Sequence, residues 1–90
     1  MTPEEFRRAG HKLVDWIVDY RANVESRSVA SPAAPAAVRA TLPPHPPRHG
    51  ESFDAIYEDI DRVVMPGITH FQHPRFFGYF PANALLASVL

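Results

Sequence analysis

The stretch Met65-Pro66-Gly67-Ile68-Thr69-His70-Phe71-Gln72-His73-Pro74-Arg75-Phe76-Phe77-Gly78-Tyr79-Phe80-Pro81 decides how this ninety-residue chain is read. Three of its seventeen residues are proline, two are glycine and five are phenylalanine or tyrosine. Pro66 and Gly67 stop a helix, Pro74 interrupts any new one and Pro81 closes the run. The rings therefore sit on irregular backbone held by neighbouring elements, not along a helix face. A large apolar side chain left in water forgoes about 1.5–3 kcal/mol of burial. The loop is expected to meet a covering surface.

On its C-terminal side, Ala84-Leu85-Leu86-Ala87-Ser88-Val89-Leu90 reads as the start of a third helix, with Asn83 as its cap. A helix apolar all round is buried on all sides, and ninety residues cannot supply that cover. The chain is accordingly expected to be the front piece of a larger protein. On the N-terminal side, Ser52 caps a second helix with Asp54 in its first turn. Phe53, Ile56, Tyr57, Ile60, Val63 and Val64 form its apolar stripe, while Glu58, Asp59, Asp61 and Arg62 are expected to face water. Pro66-Gly67 ends it.

The first helix starts at Thr2-Pro3-Glu4-Glu5: a capping threonine, a proline at the first helical position and a glutamate completing a capping box. Phe6, Leu13, Ile17, Tyr20 and Val24 then recur at helical spacing, widened by Ala9, Gly10 and Val14. The spacing predicts an amphipathic helix of about 22 residues, roughly 33 Å long. Trp16 lies off this stripe and marks a second contact surface. Either the next helix or a partner chain covers the stripe.

Between these helices, residues 27–50 show no period. Ser31-Pro32, Ala34-Pro35 and Leu42-Pro43-Pro44-His45-Pro46-Pro47 favour extended backbone and argue against a stable helix. A link this long is expected to run along a larger surface. Pro43 to Arg48 also fits the P-x-x-P-x-R pattern that SH3 domains bind, beside the plainer role of a stiff spacer.

Composition narrows the class. The hydrophobic share of 46% suits a folded chain, and ten prolines are about twice average usage. A net charge of −1 makes no electrostatic case for nucleic acid or an anionic membrane. No apolar run approaches the ~20 residues of a membrane span. Cysteine is absent, so no disulfide framework supports a small core. The N-terminus has no apolar signal region, and a cytoplasmic location is expected.

Residue chemistry alone assembles no catalytic site. His45 and His49 lie in a proline block where side chains four apart do not share a face, and no cysteine or suitably placed glutamate joins His70 and His73. No metal is expected, and these histidines read as loop and surface residues. His70 is the exception, read as a buried hydrogen-bonding group. Glu58, Asp59 and Asp61 read as a solvated face. The single lysine, Lys12, lies on the charged side of helix one. What remains is an aromatic surface able to form one wall of a site.

Met65-Pro66-Gly67-Ile68-Thr69-His70-Phe71 followed by His73-Pro74-Arg75-Phe76-Phe77-Gly78-Tyr79-Phe80-Pro81 closely resembles the N-terminal region of group II pyridoxal-phosphate-dependent amino-acid decarboxylases. The aromatic-L-amino-acid decarboxylases are the nearest type. Glu4-Glu5-Phe6-Arg7-Arg8 with Gly10, and Val14-Asp15-Trp16-Ile17 with Asp19-Tyr20, resemble that family's opening helix. Phe53 to Pro66 resembles its second, and the likeness is weakest from Ser28 to Gly50.

The resemblance implies a mainly α fold: three helices joined by a long Pro-rich linker and an aromatic loop, the N-terminal helical flap of a fold-type I enzyme. Residues 1–90 are then an incomplete segment packed over the second subunit of a homodimer. Pyridoxal 5'-phosphate is held beyond residue 90, where the lysine that binds it, a stacking histidine and an aspartate for its ring nitrogen also lie. The substrate would be an amino acid, and aromatic. The pocket residues implied are Phe71, Tyr79, Phe80, Pro81 and Ala82, with no catalytic residue in this segment. Phe71 replaces a tryptophan usual in the animal enzymes, and Ala82 stands where those carry a substrate-contacting threonine. Alone, the segment is expected to be inert. The alternatives are a stand-alone helical interaction module, which a capped, polar-faced third helix would favour, or a truncated remnant.

Overall fold

A computed structural model describes residues 1–79 and 85–89. Helix α1 spans Pro3–Asn23 and continues as a 3₁₀ turn, Val24–Ser26. Its start is built as the sequence dictates. The Thr2 hydroxyl accepts the Glu5 N–H at 3.2 Å, and the Glu5 carboxylate accepts the Thr2 N–H at 2.7 Å. The backbone N–H and the side chain of Thr2 hold the Glu5 carboxyl below the usual carboxylate range, and the two bonds satisfy two orphan donors of the first turn.

Helix α3, Phe53–Asp59, is capped by Ser52, whose hydroxyl accepts the Ala55 N–H at 3.2 Å. The α-geometry ends before Pro66: Ile60–Val64 is a π-helical turn and Met65–Gly67 a 3₁₀ turn. A proline ring crowds the carbonyl four residues earlier, here that of Arg62. Opening the last turns, so that the Met65 N–H reaches the Ile60 carbonyl, relieves this conflict.

The linker is not wholly irregular. Ala37–Thr41 forms a short helix, α2, contrary to the expectation of extended backbone from Arg27 to Gly50. Residues 36–42 hold no proline, and the alanines there are good helix formers. Ala36 enters the helix at φ 66°, the one non-glycine residue with positive φ among those described. The linker is pinned along its length. The Ser31 hydroxyl donates to the Pro66 carbonyl at 2.5 Å, and the Val38 methyls lie against Gly67, where a Cβ would meet Cγ2 at 2.8 Å. Close approach of α2 is thus the structural use of Gly67.

After the aromatic loop comes α4, Leu86–Val89, so four α-helices occur among the described residues where three were expected. No strand occurs among them, and the mainly α architecture stands. The caps expected at Asn83 and the helix ends Ala84 and Leu90 lie outside the described residues. No helix among the described residues is long and apolar enough to cross a membrane.

The radius of gyration is 15.5 Å, against about 12 Å for a compact domain of this length. The arrangement is open and flat. Among the described residues the buried apolar side chains are Ala9, Val63 and Met65. Helix α1 packs through Ala9, Lys12, Trp16 and Tyr20, a face rotated from the expected stripe, which leaves Phe6 70% exposed and Leu13, Val14 and Val18 also exposed. Trp16 brings this rotation about. Its ring stacks on Tyr20 at 5.5 Å and 3°, and its N–H donates to the Asp61 carboxylate at 3.2 Å. Asp61 is therefore a partner of α1, not simply part of a solvated face. Lys12 adds a bond to Asp54 at 2.7 Å, which raises the lysine and lowers the carboxyl from their usual values.

Candidate aromatic wall and its anchors

Three rings gather on the loop after Gly67. Phe71 and Phe76 lie 4.8 Å apart, Tyr79 lies 6.0 Å from each, and the Phe71–Tyr79 pair is edge-to-face. These separations suit the ring quadrupole, which favours tilted and edge contacts over face-to-face stacking. Phe71 is 48% exposed and Tyr79 74%, so the cluster presents ring surface outward. Gly78 permits this shape, since a Cβ there would meet the Phe76 ring at 2.9 Å.

Of the expected pocket residues, the structure brings Phe71 and Tyr79 together; Phe80, Pro81 and Ala82 lie outside the described residues. Phe76 was not among those expected. Its place in the cluster follows from the turn through His73 and Pro74, where the Phe76 N–H donates to the His73 carbonyl at 2.9 Å. Ring density was a signal for it, but not the direction of each ring.

The loop is tied down by two buried histidines. His70 is 5% exposed; its N–H donates to the Val29 carbonyl at 2.8 Å, and its Nδ1 lies 2.8 Å from the Tyr20 hydroxyl. Burial lowers the His70 pKa below its ordinary value, and the charge of Arg27 acts the same way. The ring is thus held neutral. His73, expected at the surface, is 6% exposed. Its Nδ1 accepts the Arg75 N–H at 3.0 Å, so the proton resides on Nε2, which donates to the Glu25 carbonyl at 3.1 Å. His45 and His49 are exposed. No group of histidine, aspartate and glutamate suited to a metal ion occurs among the described residues.

An exposed aromatic cluster without an acid–base pair can shape a site but cannot itself move a proton. Comparison with known proteins identifies the class. Residues 35–90 match the pyridoxal-dependent decarboxylase conserved domain. Tyrosine decarboxylase 4 of Petroselinum crispum is 42% identical over 90 residues, covering 100% of this chain and 18% of that protein. The aromatic-L-amino-acid decarboxylase of Bos taurus is 42% identical over 94 residues, covering 100% of this chain and 19% of its own.

Among solved structures, Oryza sativa TDC with PLP and tryptamine superposes with a TM-score of 0.87 at 32% identity, over 99% of this chain and 19% of that one. Catharanthus roseus tryptophan decarboxylase in complex with L-tryptophan gives 0.85 at 37% identity, over 99% and 19%. The chain belongs to the pyridoxal-dependent decarboxylase family, and its fold is that of the N-terminal helical region of these enzymes. It spans about a fifth of the length of the relatives it matches.

Proposed function

We propose that this chain is the N-terminal segment of a pyridoxal-phosphate-dependent carboxy-lyase acting on an aromatic L-amino acid, and that it supplies one wall of the substrate pocket. The observation that carries this reading is the outward-facing cluster of Phe71, Phe76 and Tyr79 on a loop anchored by buried histidines. In an enzyme of this class, bound pyridoxal phosphate supplies the electron sink for loss of the α-carboxylate.

The residues here do not fit that cofactor. The single lysine, Lys12, is bonded to Asp54 at 2.7 Å and lies 4.2 Å over the Tyr57 ring, on the helical face rather than at the wall. The cofactor therefore belongs to residues outside this segment. The part left to this chain is to exclude water and to orient a flat side chain against flat rings. Phe71, Tyr79, Phe80, Pro81 and Ala82 are the proposed substrate contacts, and Ala82 offers no hydroxyl to a ring substituent.

The uncovered face of α1, with Phe6, Leu13 and Val18 exposed, supports docking on the second subunit of a homodimer. The same face is the feature that favours the second reading, a helical interaction module. The test is CO₂ release from L-tyrosine, L-DOPA and L-tryptophan, with pyridoxal phosphate added. The complete protein should release it from one of them, and the isolated ninety-residue segment from none. A complete protein inactive on every aromatic amino acid, or an active isolated segment, overturns the proposal.

A further inference from the structure

We infer that Tyr20 and His70 are positioning residues that set the placement of the Phe71 ring, and thereby the enzyme's discrimination between aromatic substrates. The inference rests on the proposed pocket role of the loop. Phe71 is half exposed, and among the described residues its ring packs with Phe76 and Tyr79, members of the same loop. Those contacts keep the three rings together but do not fix the cluster relative to the rest of the protein. The fixing is done from the adjacent residues.

His70, next in sequence to Phe71, is held at two points: by its N–H on Val29 and by its ring on the Tyr20 hydroxyl, each at 2.8 Å. His73, two residues beyond Phe71, is held on the Glu25 carbonyl. Phe71 and Gln72 therefore bridge two buried anchors, and all three anchor points lie within the chain between Tyr20 and Val29. Tyr20 is in turn immobilised. Trp16 stacks on it, the Arg27 guanidinium lies 5.4 Å from its ring centroid, and Trp16 reaches Asp61 on the π-helical turn. A connected set, Asp61–Trp16–Tyr20–His70, thus runs from the second helical stretch through α1 to the residue before the wall.

Such a set does more than bury apolar surface, because the hydroxyl of Tyr20 adds direction that a phenylalanine ring would not. Small displacements of a ring that lines a pocket weaken its hold on, and orientation of, the substrate. An indole and a phenol differ by far more than the single methylene that already shifts selectivity about tenfold or more, so the placement of a wall ring bears directly on their discrimination.

The test uses the complete enzyme with Tyr20→Phe, which keeps the ring stacked on Trp16 and removes only the hydroxyl. Two further variants are His70→Leu and His70→Asn, the latter retaining a polar atom near the position of Nδ1. For Tyr20→Phe, KM for the preferred aromatic amino acid should rise by about two- to tenfold, the range equivalent to one hydrogen bond. The kcat should change less than about twofold. The ratio of kcat/KM between L-tryptophan and L-tyrosine should shift. His70→Asn should recover much of the loss seen with His70→Leu, and the double variant Tyr20→Phe/His70→Leu should be no worse than His70→Leu.

A purely structural role would lower the melting temperature and scale all substrates alike. An unchanged substrate ratio in Tyr20→Phe, or effects that multiply in the double variant, overturns the inference while the decarboxylase reading stands. An unmutated enzyme inactive on every aromatic amino acid overturns that reading, and the inference with it.

Discussion

Replacing Gly67 by alanine tests how the aromatic loop is launched. A Cβ at this position would sit 2.8 Å from Val38 Cγ2, whereas carbon atoms in contact prefer about 3.5–4.0 Å. Valine is stiff about χ1, so relief requires α2 to retreat by roughly 1 Å, not a simple rotation. Overpacking of this kind costs about 1–3 kcal/mol. Val38 is only partly buried and α2 has five residues, which places the cost at the low end. Gly67 has no positive φ, so alanine also restricts the unfolded chain and returns about 0.4–1 kcal/mol.

The expected net loss for Gly67→Ala is about 0.5 kcal/mol or less: roughly 1 kcal/mol of overpacking, offset by the about 0.4–1 kcal/mol returned. In a Val38→Ala background the nearest remaining atom is the Cβ, at 3.7 Å, and Gly67→Ala should become neutral or stabilising. The assay is the urea midpoint, at constant slope, of the transition that unfolds this segment in the complete protein. A double-mutant cycle then isolates the coupling. Equal destabilisation by Gly67→Ala in both backgrounds would refute the close approach of α2 to the Met65–Gly67 turn.

In the complete enzyme, Phe71→Ala should lower kcat/KM for aromatic substrates by about tenfold or more, as should Phe80→Ala, while Glu58→Ala stays near neutral. Steady-state kinetics of the three variants checks this, and equal effects would remove the pocket assignment. Ala36→Gly should stabilise the segment by about 1 kcal/mol, read from the same urea transition, because its left-handed φ costs an alanine about that much. Lowering the pH should destabilise the segment through His70, which faces the Tyr20 hydroxyl, Arg27 and His73 and shares a groove with Asp61. The folded ring resists protonation and the unfolded one takes a proton below about pH 6.5. The His70 contribution is thus complete above that pH and declines as the pH falls from there toward the lower folded value. Urea midpoints at pH 7.5 and 5.5 should differ more for the unmutated protein than for His70→Asn.

Local signals carried the sequence reading where the chemistry is local. Thr2 with Glu5, and Ser52 with the N–H of Ala55, form the caps that their spacing implies. What sequence could not show is the side of α1 that is covered. Phe6 and Leu13 are as apolar as the covered face, but the polar partners of α1, Asp54 for Lys12, Asp61 for Trp16 and His70 for Tyr20, lie more than forty residues away. The helix α2 was hidden because prolines flank it and Val38 packs on a residue far along the chain. The π-helical turn was hidden because Pro66 signals that a helix must end, not how many turns earlier it begins to open.

The aromatic loop was partly legible in the same way. Five rings among three prolines announced a wall, and His70 stood out as its buried neighbour. His73 did not, because its burial depends on the Glu25 carbonyl in the 3₁₀ turn that follows α1.

The most direct measurement is the intact mass, after borohydride reduction, of the native polypeptide that begins with this sequence. A chain several times longer than ninety residues, bearing one reduced pyridoxal phosphate adduct on a lysine, is the expected result. A bare ninety-residue chain without adduct would contradict the account.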